Sequence, residues 1–145
     1  MPVQDGSELV RYVVENIVNT GQLVSVPEYL TPDYSLHKTG LSVPAGPEAF
    51  KMAVRQWRSA FPDYHLTVEA TIAEGDLVAC RYIATGTHRG SLMGMPASGR
   101  GFAVHGTDVH RLVDGRIAES WLADDIARLL HDLGLLRPVA SGSWT

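Results

Sequence analysis

The pair Asp114-Gly115, set between Val113 and Arg116, constrains this chain more than any other feature. A two-residue connection of this kind needs two left-handed residues, and Asp-Gly supplies them at low steric cost. The flanking runs FAVHGTDVHRLV and RIAESW read as the two strands of a hairpin. A tight turn fixes register, so Val113 is expected opposite Arg116, Leu112 opposite Ile117, His110 opposite Glu119 and Asp108 opposite Trp121. Side chains alternate with period two. One face then carries Phe102, Val104, Asp108, His110 and Leu112, joined by Ile117, Glu119 and Trp121. Both ends of that face are apolar and its middle is ionisable. Buried ionisable groups are costly unless they are paired or functional. Two readings follow: a His110–Glu119 pair that fixes register, or the floor of a polar-centred pocket.

At 145 residues the chain is expected to form one domain with a real core. A formal net charge of −4 without blocks of like charge argues against nucleic acid or an anionic membrane as partner. Cys80 is the sole cysteine, so no intramolecular disulfide can form. No apolar run approaches the ~18 residues of a membrane span, and the N-terminus has no signal-peptide pattern. A cytoplasmic protein is expected.

Val10, Val13, Val14, Ile17 and Val18 share one helical face, predicting a helix over 7–20 that Gly21 stops. A short helical turn follows near 23–29. Residues 31–46 contain prolines, glycines and no periodicity, and are expected to form a long loop with Tyr34, His37 and Leu41 turned inward or solvated. A second helix over 47–60 carries the stripe Phe50, Ala53, Val54, Trp57 and Phe61. Residues 64–73 alternate as a strand with Tyr64, Leu66, Val68, Ala70 and Ile72 inward. Residues 77–88 form a strand apolar on both faces, with Val78, Cys80, Tyr82 and His88 on one side. The segment 89–101 is a glycine-rich loop bearing Met93 and Met95. After the hairpin, Asp124 or Asp125 caps a last helix with Ile126, Leu129, Leu130 and Leu133 on one face, and the tail 137–145 is expected to be loosely ordered. Helices first, then four strands, then a short helix define an α+β fold.

The segments GTHRGSLMGMPASGR, HGTDVHRLVDGRIAESW and ADDIARLLHDLG, with TPDY, GPEAF and FPDYHLTVE, resemble the SnoaL-like polyketide cyclases, also called ester cyclases, of the nuclear-transport-factor-2-like fold. The resemblance spans nearly the whole chain. It implies a cone-shaped, strongly curved, mostly antiparallel sheet closed by N-terminal helices. It also implies a tailoring enzyme of antibiotic and other secondary metabolism, of lyase or isomerase type, that closes a ring by an intramolecular aldol reaction without metal or cofactor. In the family the general base precedes the last helix, which is Asp125 here. The partner position on the preceding strand is Asp108, where the aldol cyclases carry histidine; this chain places its histidine at His110. His88 matches a loop histidine of the cyclases. Other branches of the fold hydroxylate or open epoxides, so an epoxide-opening or hydroxylating enzyme is the alternative, and a non-catalytic binding domain a third reading.

A carboxylate in an apolar cavity has its pKa raised towards neutrality, which suits a general base. Asp125, Asp108, His110 and His88 are therefore the expected catalytic set. Tyr34, Trp57, Phe61, Tyr82, Met93, Met95, Glu119 and Trp121 are the expected contacts of a small, hydrophobic or polycyclic substrate. A second subunit, in a homodimer or homotetramer, is expected to cover the outer sheet face around His105, Thr107 and Val109.

Overall fold

The computed structural model describes residues 6–38 and 43–135. The expected loose tail and Leu41 lie outside the described residues. Helix α1 (Gly6–Val13) continues through one π-helical turn at Val14–Val18, and a short α2 (Val26–Tyr29) leads into strand β1 (Leu30–His37). Helix α3 (Glu48–Ala60) is followed by strands β2 (His65–Glu74), β3 (Leu77–Thr87), β4 (Gly101–Val113) and β5 (Arg116–Trp121), and by helix α4 (Ile126–Asp132). The five strands form one mixed sheet in the order β1-β5-β4-β3-β2. The sheet is open, with β1 and β2 at its edges. The α+β class is as expected; the sheet has one strand more.

Helix α1 is rich in β-branched residues, which lower helix propensity, so burial must hold it. Leu9, Val10, Val13, Val14 and Ile17 are buried as that requires. Gly21, at φ 75°, ends the segment and donates its N–H to the Ile17 carbonyl at 2.8 Å. In α3, Ala49, Ala53, Val54 and Ala60 are buried. At its end Phe61 stacks on Trp57 at 5.7 Å and meets Phe102 edge-on at 4.7 Å.

The hairpin turn is as the sequence requires: Asp114 and Gly115 both have positive φ, 50° and 76°. Val113 pairs with Arg116 and Leu112 with Ile117. Beyond that the expected register fails. Arg111 faces Glu119, His110 faces Ser120 and Val109 faces Trp121. The extra residue is Ala118, accommodated as a β-bulge. Because side chains alternate, one inserted residue exchanges the faces of everything after it. Glu119 and Trp121 therefore leave the inner face and Ser120 enters it. Strand β2 repeats the event at Glu69, between Val68 and Ala70, so that Ile72 is 69% exposed rather than inward.

The expected loop over 31–46 is also corrected, because its first part is strand β1, parallel to β5. Its pairing is irregular between Leu30 and Ser35, a span that contains Pro32. Proline lacks an N–H and is tolerated on an edge strand. The bulge erased the alternation by which the strand would have been recognised.

Deleting Ala118 is expected to restore unbroken pairing and drive Glu119 to the inner face. A carboxylate buried there beside an uncharged imidazole and near Asp108 should cost about 3 kcal/mol. The midpoint of urea unfolding measures the loss; an unchanged midpoint would show that the bulge does not set which side chains face inward.

Candidate active site

Strand β4 places Asp108 and His110 two residues apart on the inner face. Tyr82 comes from β3, where it pairs across the ladder with Gly106. A Cβ at position 106 would collide with the Tyr82 ring, so only glycine leaves room for it there. The ring lies over this gap, and its hydroxyl donates to Asp108 Oδ1 at 3.2 Å. The same oxygen accepts the backbone N–H of Ala123 at 3.2 Å. Asp108 Oδ2 has no hydrogen-bond partner among the described residues.

After β5 the chain runs on beside β4. Thr107 donates its N–H to the Ala123 carbonyl, Asp125 donates its own to the His105 carbonyl, and Gly106 bridges to Asp124. This bridge puts Asp124 on the inner face. Its Oδ2 receives Lys38 Nζ at 2.9 Å, and both side chains are largely buried. Lys38 lies just past the end of β1, with its ammonium 4.6 Å from the centre of the Trp57 ring, within cation–π range. Deeper in, His110 Nδ1 lies 2.7 Å from Ser120 Oγ, and Tyr34 is 1% exposed.

These groups line one cavity between the sheet and helices α1 and α3. Asp108, His110, Ser120, Asp124, Lys38, Tyr34, Tyr82 and Trp57 share its wall with Val10, Val13, Val14, Leu30, Phe50 and Leu66, among others.

The electrostatics differ along β4. Asp108 has its pKa raised to about 7, first by burial and then by the charge of Asp124, while the Ala123 N–H, the Tyr82 hydroxyl and the Lys38 cation pull the other way. His110 has its pKa lowered to about 4 by burial alone. At neutral pH the imidazole is uncharged and the carboxyl is poised between its two forms. The short contact between Ser120 and His110 resembles a nucleophile and its base. A base of pKa about 4 is too weak for that work at neutral pH, and Ser120 itself is 2% exposed.

Of the residues expected in the site, Asp108, His110, Tyr34, Trp57 and Tyr82 line this cavity. The others are placed elsewhere. Asp125 is exposed and caps α4, accepting the Arg128 N–H at 3.0 Å; of the two adjacent aspartates it is Asp124 that faces inward. Glu119 is turned out by the bulge, where it contacts His37 at 2.6 Å and Arg111 at 3.1 Å and so keeps its carboxyl below the usual range. Trp121 stacks on His37 at 5.5 Å and is 38% exposed. Phe61 is fully buried in the aromatic cluster at the end of α3. Met93 is 67% exposed at a positive φ, and Met95 pairs with Leu92 in the glycine-rich loop. His88 is fully buried, accepting the Ser98 N–H on Nδ1 at 3.1 Å, and so ties that loop to β3. Lys38, Ser120 and Asp124 were missed. Only Asp124 had a signal, since one helix needs one capping aspartate and the sequence offers two.

Among the described residues, no three or more His, Cys, Asp or Glu side chains are grouped to hold a metal ion.

Residues 8–133 match the SnoaL-like polyketide cyclase family. Two relatives agree. The chain is 35% identical to the aklanonic acid methyl ester cyclase DauD of Streptomyces sp. (strain C5) over 141 residues, covering 93% of this chain and 85% of that protein. It is 34% identical to the nogalonic acid methyl ester cyclase of Streptomyces nogalater over 119 residues, covering 80% and 88%. Among solved structures, TsrD from Streptomyces laurentii superposes with a TM-score of 0.82 at 29% identity, covering 94% of this chain and 99% of that one. The chain therefore belongs to the SnoaL-like polyketide cyclase family, and its relatives place it among the tailoring enzymes of polyketide biosynthesis.

The two shifted groups make opposite demands on stability. For Asp108 the folded pKa exceeds the unfolded one, so its contribution is complete below the unfolded value near 4 and is lost as pH rises through about 7. For His110 the folded pKa is the lower, so its contribution is complete above about 6.5 and is lost as pH falls through about 4. Relative to wild type, Asp108→Asn should gain stability progressively from pH 4 to 8, approaching about 4 kcal/mol. His110→Gln should gain in the opposite direction, from pH 6.5 down to 4. Chemical denaturation across that range tests both; parallel curves would refute the assigned shifts.

Proposed function

We propose that the protein closes a ring in a polyketide-derived methyl ester by an intramolecular aldol reaction, with Asp108 as the base. The observation that carries this reading is a carboxyl poised near neutrality in a largely apolar cavity, with one oxygen uncommitted and an ammonium on the same wall. A carboxylate of pKa near 7 is strong enough to remove a proton from a carbon flanked by carbonyls, and is half ionised at working pH. Asp108 takes that proton and the electron pair moves onto oxygen as an enolate. The Lys38 cation, held by Asp124 and by the Trp57 ring, stabilises the oxyanion. The enolate carbon then bonds to a ketone carbonyl of the same molecule. The alkoxide so formed recovers the proton from Asp108. Nothing is oxidised or reduced, and the product is an isomer of the substrate. The wall of aliphatic and aromatic side chains suits a flat ligand and holds its reacting ends together, an effect worth ~7–11 kcal/mol in well-oriented cases.

In this reading Asp125 serves helix α4. Using aklanonic acid methyl ester as probe, Asp108→Asn should lower kcat by about 10²–10⁴, and Lys38→Met should also lower it. Asp125→Asn should turn over as wild type, and Asp125→Ala should cost about 1 kcal/mol of stability. Wild-type kcat/KM should rise with pH through about 7. Full activity in Asp108→Asn, or its loss in Asp125→Asn, would transfer the role of base. Running the reaction in ¹⁸O-water separates ring closure from epoxide opening by water, because only the latter leaves label in the product.

A further inference from the structure

The partners of Asp108 divide its two oxygens. Oδ1 accepts both the Tyr82 hydroxyl and the Ala123 N–H, while Oδ2 accepts nothing from the described residues and stays open to the cavity. The Ala123 donor is backbone, which almost any residue there would supply. The Tyr82 donor is a side chain, and the chain around it is arranged to admit it. Tyr82 stands across the ladder from Gly106, and a Cβ at that position would meet both the phenol ring and its oxygen. A glycine inside a strand gives up packing and raises the entropy lost on folding. Here the space it vacates holds the polar end of a ring that is otherwise buried. Phenylalanine would fill most of that space with no hydroxyl to desolvate.

No other side chain reaches Asp108 in this way among the described residues. Lys38 is bonded to Asp124, and the Arg58 guanidinium donates to the Tyr64 and Pro62 carbonyls. His110 and Cys80 have their pKa values pushed to about 4 and about 11, so neither titrates between pH 6 and 9. Burial raises the Tyr34 and Tyr64 phenols, which stay protonated.

We infer that Tyr82 is a positioning residue for the base: with the Ala123 N–H, its hydroxyl engages Oδ1 and fixes the carboxyl, leaving Oδ2 as the atom that takes the substrate's proton. This deepens the ring-closure reading and rests on Asp108 being the base in it. A hydrogen bond to an ionised acceptor is stronger than one to a neutral acceptor. The phenol therefore opposes the effect of burial on Asp108 and keeps a usable fraction ionised at neutral pH. Burial and the charge of Asp108 both raise the pKa of Tyr82 itself, so it donates without giving up its proton. Once Oδ2 is protonated, Oδ1 is still an acceptor, and the phenol keeps its partner through the cycle.

The test compares wild type with Tyr82→Phe and with the full chain carrying 3-fluorotyrosine at position 82. The fluorophenol is more acidic and keeps the ring and its hydroxyl, so it reads the bond even where loss of the hydroxyl disturbs the fold. The Asp108 carboxyl carbon is titrated by NMR in ¹³C-labelled protein, its signal being the one absent from Asp108→Asn. Tyr82→Phe should move the midpoint up by about one unit, and 3-fluorotyrosine should move it down. On aklanonic acid methyl ester, the rising limb of kcat/KM should move with that midpoint. Tyr82→Phe should then be about tenfold slower than wild type at pH 6, with the deficit shrinking towards pH 9. A midpoint that stays in place, or that moves in the same direction in both variants, would overturn the inference. A midpoint that moves while the kinetic limb does not would instead remove Asp108 as the base, with the Tyr82 bond left standing.

Discussion

One inserted residue decides the chemistry of this cavity. Ala118 is buried, carries almost no side chain, and occupies the position that an unbroken ladder would have denied it. Its presence turns a glutamate towards solvent and a serine towards His110. Without it, the inner face would hold two carboxylates and an indole within reach of one imidazole. With it, the deep end is held by neutral hydrogen bonds and the ionised groups gather two residues away around Asp108.

The second constraint is that the same burial acts on two neighbouring residues with opposite results. An acid and a base two positions apart on β4 both lose their hydration, and both shift towards the neutral form. The acid becomes a usable base at neutral pH while the imidazole is silenced. Charge in the cavity is then carried by Lys38 and Asp124, which enter from two other elements and meet in front of Trp57. Three chain segments far apart in sequence contribute these groups, so the arrangement exists only when the sheet is assembled. That suits a fold whose interior varies from member to member while its frame persists.

Much of the frame was legible in the sequence. Asp114-Gly115 gave the hairpin, and the periods of 3.6 and 2 gave α1, α3, β3 and β4 because those elements are regular. Asp108 and His110 fall on one side of β4 for the same reason. What was hidden had a common cause. Strand β1 reads as loop in the sequence because proline and an irregular pairing remove alternation, and that hides the setting of Tyr34 and Lys38 with it. The bulges at Ala118 and Glu69 leave no local mark, since an alanine or a glutamate in a strand looks the same whether or not it is skipped. The resemblance to the family placed weight on Asp125, whereas the bridge between Gly106 and Asp124 turns the other aspartate inward.

Cys80 stands directly across the ladder from Asp108 and is 1% exposed. Burial pushes its thiol up to about 11, so in the folded protein it offers neither access nor thiolate to an alkylating reagent. As the only sulfhydryl in the chain, it makes the protein its own recorder of opening events: the speed at which a maleimide becomes attached counts how often the layer covering this face of β3 lifts away. A molecule lodged over Asp108 would slow that clock, which allows occupancy to be followed without any optical change in the occupant.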